Sequence, residues 1–211
     1  MPSSISLSTE SIRLLKLRGQ SDQQVSDFAA LLGKANDQLK QQTSAKEVLS
    51  GMSASELKLL QNSASLADPI TVNSLSDEGA RNLLAQPDKT GMVDLNNDGI
   101  VEIGAAKMLT FPPVNAPESV HNAWERATES LSEGDKMTLQ LLMHTQVYGT
   151  HIEGHPGKEP LLPEQQWSTD GVQKLMAGAR AALEFSASMD GWTHMNLVQK
   201  DFLDRFENEL A

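Results

Sequence analysis

Asp94-Leu95-Asn96-Asn97-Asp98-Gly99-Ile100-Val101-Glu102 decides how this chain is read, because its chemistry is legible residue by residue. Asp94, Asn96 and Asp98 alternate, so three oxygen-bearing side chains are spaced to turn inward around one hard cation. Gly99 then permits a sharp turn that a residue with a Cβ resists. The Ile100 carbonyl stands where such loops supply a backbone oxygen. Val101 takes the apolar position that anchors a loop to a core, and Glu102 adds a carboxylate. Oxygen donors without sulfur or imidazole point to Ca²⁺ ahead of zinc or copper. The expected metal ligands are therefore Asp94, Asn96, Asp98, Ile100 and Glu102. The competing reading is an Asn/Asp/Gly turn that binds nothing, since these residues favour turns for purely local reasons.

Over its first nine positions the stretch resembles the EF-hand calcium loop. Ala105 stands at the twelfth position, where that family carries a bidentate Glu. Pro87 and Gly91 interrupt the entering segment, so no continuous helix is expected to run into Asp94. The pattern Asp-x-Asn-x-Asp-Gly-x-x-Glu is also similar to the shorter calcium loops of integrin-type propeller repeats, in which the ninth position carries the last acid. Those loops recur on strands, and here one copy is followed by a helical pattern. Both resemblances imply Glu102 as the closing ligand, directly or through water. A single loop without the twelfth acid implies an ion that staples the loop, not one that drives a sensor-like opening.

Outward from this stretch the sequence reads mostly as helix. Ser8 is placed to cap a helix with Ile12, Leu14, Leu15 and Leu17. Ser21 with Gln24, and Ser53 with Glu56, have capping-box spacing. Val25, Phe28, Leu32, Ala35 and Leu39 follow at steps of three and four as one apolar stripe, suited either to the protein's own core or to a partner helix. Gln41 to Ser44 breaks that pattern, Ser63 to Pro69 reads as a loop, and Ile70-Thr71-Val72 is too short to assign, a strand stub beside the calcium-like loop being one reading. Glu102 to Leu109 is expected to be a short helix, ended by Phe111-Pro112-Pro113. Ala116-Pro117-Glu118 starts the next helix, with Val120, Trp124, Ala127 and Leu131 on its buried face. Ser132 caps a helix from Glu133 to about Tyr148, whose apolar residues spread around its circumference and predict a central position. Gly149 to Trp167 reads as a long loop. Ser168 or Thr169 caps a helix with Val172, Leu175, Met176, Ala179 and Leu183 on one face, and Thr193 caps a final one with Phe202, Leu203 and Phe206.

Ser-Leu-Ser-x-Glu-x-x-Arg occurs twice, at Ser6 to Arg13 and at Ser74 to Arg81. Its physical content is a serine cap followed by first-turn acids that suit the helix dipole. Such helix starts are similar to segments of small bacterial flagellar and type III export proteins, over about ten residues.

At 211 residues the chain can bury a core as one domain or two. Hydrophobic content of 39% is low yet above the range of disordered chains. The absence of cysteine excludes disulfides, thiolate metal sites and cysteine nucleophiles. A net charge of -11 opposes binding to nucleic acid or anionic lipid by charge attraction. No basic segment followed by an apolar run opens the sequence and no window reaches membrane-span length, so a cytoplasmic protein is expected, with signal-less export as the other route. Of nine aromatic residues only Phe28 precedes residue 111, which places the expected compact core in the second half.

The fold expected is mainly α, an irregular helical bundle with one EF-hand-like loop and at most a short two-stranded β stub. A thin N-terminal helical segment, 1–66, would precede a compact domain, 67–211. The expected function is non-enzymatic calcium binding. A second expectation is a helical adaptor or exported accessory protein that meets a protein partner through residues 8–62. A third is a metalloenzyme built on His144, His151, Glu153 and His155, whose spacing matches no established zinc pattern. Asp77/Glu78 and Asp201/Asp204 read as helix-surface acids. There is no nucleophile elbow, phosphate-binding glycine loop or basic–aromatic stripe.

Overall fold

The computed structural model describes residues 5–149 and 161–210. Ten α-helices and one two-stranded antiparallel sheet make the fold mainly α among these residues. Seven of the helices begin on a serine whose hydroxyl accepts an N–H of the first turn: Ser8, Ser21, Ser44, Ser53, Ser76, Ser132 and Ser168. These caps satisfy donors that the helix leaves without an intrahelical partner, and they fix where each helix starts. Ser21, Ser44 and Ser53 form complete capping boxes with Gln24, Glu47 and Glu56.

Two compact units divide the chain. The first comprises Met1–Leu95 and Ile100–Met108, the second Asn96–Gly99 and Leu109–Ala211. The boundary expected at residues 66–67 falls inside the first unit.

The first unit contains α1 (Thr9–Leu17), α2 (Asp22–Leu39), α3 (Ala45–Ser50), α4 (Ala54–Ser63), a 3₁₀ turn at Val72–Ser74, α5 (Asp77–Asn82) and the hairpin β1 (Ile100–Ile103) with β2 (Ala106–Leu109), save for the last residue of β2. Its core is aliphatic: Leu15, Leu32, Leu49 and Leu60 are buried around Phe28. The scarcity of aromatics therefore underrated this half, because leucines supply the burial that rings supply elsewhere. Phe28, Leu32 and Ala35 of the Val25–Leu39 stripe lie in this core, and Val25 and Leu39 pack against it. The centre of the stripe thus lies in the unit's own interior, with its two ends partly buried.

Two local expectations differ from the structure. Glu102 to Leu109 is the hairpin β1–β2 and not a helix. Ile100, Val101 and Ile103 favour extended backbone, and Gly104-Ala105 supplies a two-residue turn. Ile70-Thr71-Val72 is no strand and leads into the 3₁₀ turn. Residues 45–50, which carry no assignment from sequence, form α3 because Ser44 and Glu47 make a capping box. The two Ser-Leu-Ser starts do both open helices, α1 and α5.

The second unit contains α6 (Glu118–Thr128), α7 (Glu133–Tyr148), α8 (Pro163–Gln166), α9 (Thr169–Asp190) and α10 (His194–Leu210). Its core is aromatic. Phe111, Trp124, Phe202 and Phe206 meet at centroid distances of 5.2–6.0 Å, mostly edge to face. Contrary to its expected central place, α7 is one-sided: Leu139, Met143 and Val147 are buried while Met137 and Leu141 are exposed. No helix among the described residues is long and apolar enough to cross a membrane.

Candidate functional site

The Asp94–Glu102 stretch begins past a turn that ends at Gly91, with two residues between, and its last three residues already belong to β1. Asp94 is 3% exposed at its start. Asn96 Oδ1 accepts the Asp98 N–H at 3.2 Å, and Asn96 Nδ2 donates to Asp98 Oδ2 at 3.0 Å. Asn97 takes φ of 55° and Gly99 φ of 74°, both left-handed. Gly99 is needed twice over. Its backbone suits glycine, and an added Cβ would strike the Tyr148 ring. His144 Nε2 lies 3.2 Å from the Asp98 carbonyl, and its ring packs on Tyr148 at 4.8 Å. The Ile100 carbonyl begins β1, where the sequence places a backbone ligand.

The ends of the loop are closed by α5. Glu78, read from sequence as a surface acid, is 5% exposed, and its carboxylate accepts the N–H groups of Leu95 and Glu102, each at 2.8 Å. Asn82 donates to the carbonyls of Val93 (2.8 Å) and Glu102 (2.9 Å) and accepts the Val93 N–H at 2.8 Å. The two side chains lie one helical turn apart on α5 and so address the same strand and loop ends. The helix can come this close because Gly79 and Gly104 abut: the Gly104 N–H donates to the Gly79 carbonyl at 2.9 Å, and any Cβ on Gly79 would collide with the Gly104 carbonyl.

Glu102, the expected closing ligand, is engaged by protein groups. The Ser76 hydroxyl donates to one carboxylate oxygen, and Lys107 Nζ sits 2.9 Å from the other. The Ser76 bond first, and Lys107 second, hold its carboxyl below the usual carboxylate range. Among the described residues no three His, Cys, Asp or Glu side chains gather in a metal-holding group. The donors of the loop are nevertheless all oxygen, which suits Ca²⁺, and Asn96 and the Ile100 carbonyl add two neutral ones. By donor type alone, Asp94, Asn96, Asp98 and the Ile100 carbonyl are the residues that could hold a cation. It would take Glu102 only by displacing Ser76 and Lys107.

Of the residues considered for zinc, His144 contacts the loop carbonyl, while His151, Glu153 and His155 lie outside the described residues. His194 is exposed, 3.4 Å from Asp135. The sequence reading missed Glu78 and Asn82. Their only sequence signal is a pair of hydrogen-bonding residues four apart behind a serine cap, which most surface helices share. No family model matches the chain, and no curated protein or solved structure is similar to it.

Proposed function

We propose that this chain is a non-enzymatic helical protein that binds one Ca²⁺ in the Asp94–Glu102 loop. Asp94, Asn96 and Asp98 would hold it by side chain and Ile100 by its carbonyl, with Glu102 reached in exchange for its present partners. The observation that carries the reading is the loop itself: three alternating oxygen-bearing side chains, a left-handed glycine and then a strand. The chain continues past Glu102 as the hairpin β1–β2, where an EF-hand would run into its exiting helix, and this supports the strand-borne kind of loop over the EF-hand kind. The ion would neutralise carboxylates gathered in a chain already rich in acid. Because Glu78 and Asn82 already tie the loop ends, the ion would tighten a formed loop and not fold it from disorder.

Bound only to the folded state, an ion stabilises it by RT ln(1 + [L]/Kd), about 2.7 kcal/mol at a hundredfold excess over Kd. Calorimetric titration with Ca²⁺ and Mg²⁺, and melting with Ca²⁺ against chelator, test this. Wild type is expected to bind Ca²⁺ one to one and melt higher with it, and Asp98→Ala to lose both effects. No heat of binding, or identical melts for the two proteins, would refute it.

A further inference from the structure

A cavity of about 300 Å³ lies wholly within the first unit and includes no residue of the Asp94–Glu102 loop. Its wall is apolar over most of its area, with Leu14, Phe28, Leu60, Leu83, Ile103 and Met108 among its residues. Set into that wall are two cations, Arg18 and Lys89, and one hydroxyl, Ser63. Arg18 donates one N–H to the Ser63 carbonyl at the end of α4 and has no carboxylate partner among the described residues. Lys89 has no carboxylate partner there either. Ser63 is 2% exposed, and its buried hydroxyl has no hydrogen-bond partner among the described residues. In a protein of net charge -11, two cations and an unsatisfied hydroxyl around one apolar cavity are a specific arrangement.

We infer that this cavity binds a small amphipathic carboxylate, its tail among the aliphatic side chains and its head between Arg18, Lys89 and the Ser63 hydroxyl. A buried hydroxyl without a partner is costly, and a half-buried Arg18 and an exposed Lys89 beside it favour an anionic group. An anion with an apolar tail matches both halves of the wall. The volume is at the small end of ligand pockets, which suits a medium-chain acid and excludes a bulky lipid. Arg18 has five N–H donors and commits one to Ser63, so a carboxylate can be met without breaking that bond. Lys89 is exposed, while the protein about its ammonium lowers its pKa through desolvation. Desolvation acts the same way on Arg18. Lys89 also takes φ of 74°, which a lysine rarely adopts. Its N–H bonds the Gln86 carbonyl, and its own carbonyl accepts the Met92 N–H, both at 3.0 Å, so the turn that presents the ammonium is fixed.

The test is calorimetric titration of the full chain with octanoate, octanol and octylamine. Octanoate is expected to bind one to one, with octanol at least about tenfold weaker and octylamine without measurable binding. Lys89→Gln, at an exposed position, should keep the wild-type circular dichroism and melting curve and weaken octanoate about tenfold. Ser63→Ala should weaken it severalfold. Equal affinity for octanoate and octanol, unchanged octanoate affinity in Lys89→Gln, unsaturable uptake of many chains, or no heat with octanoate would each overturn the inference.

Discussion

Replacing Glu78 tests whether α5, and not an ion alone, closes the loop. Its carboxylate accepts two backbone N–H groups at 2.8 Å, from residues seven apart at the loop's two ends. A hydrogen bond to a charged group contributes about 1.5–3 kcal/mol. Leu95 is exposed and Glu102 half-buried, so water can reach both amides once the carboxylate is gone, which draws each figure to the lower end. Glu78→Ala should therefore cost roughly 2–4 kcal/mol, and Glu78→Gln, which keeps one acceptor oxygen, about half as much. At about 2–4 °C per kcal/mol for a chain of this length, the alanine variant should melt roughly 4–15 °C lower. Urea unfolding followed by circular dichroism, in excess chelator, reads the difference without any contribution from Ca²⁺. If both variants lie within about 0.5 kcal/mol of wild type, the range of ordinary surface substitutions, the carboxylate does not hold the loop.

Three further outcomes follow from the same coordinates. Gly99→Ala should cost at least about 1–2 kcal/mol from its left-handed backbone alone, with the Tyr148 ring displaced besides; a near-neutral urea midpoint would contradict this. Leu32→Ala should cost about 2–5 kcal/mol, as in any packed interior, and a cost under 1 kcal/mol would revive the thin N-terminal half. Glu47 and Glu56 are held below the usual carboxylate range, first by the backbone N–H of Ser44 and of Ser53 and then by those hydroxyls. A depressed folded pKa gives stability that is full above the unfolded value and fades as pH falls through the folded one. Stability should thus fall below about pH 4.3, and Glu56→Gln should flatten that fall, measured as urea midpoint against pH.

The helix starts were legible in the sequence because each is decided within a few residues: a serine hydroxyl reaches an N–H three positions on, as at Ser8, Ser21, Ser53, Ser132 and Ser168. The inward face of α9 was legible for the same reason, since a period of 3.6 is a local property. The oxygen donors of the Asp94–Glu102 loop are likewise a matter of spacing, and so is its glycine. What these groups do with their lone pairs is not. Glu78 and Asn82 reach the loop across 11 to 24 residues of chain, and Ser76 reaches Glu102 across 26. A carboxylate on a helix looks the same in sequence whether it faces water or another element's amides, and only tertiary packing decides which. The hairpin after Gly99 and the cations beside the apolar cavity belong to the same class. Strand pairing, burial and the absence of a counter-charge are properties of what lies opposite in space, which no local pattern states.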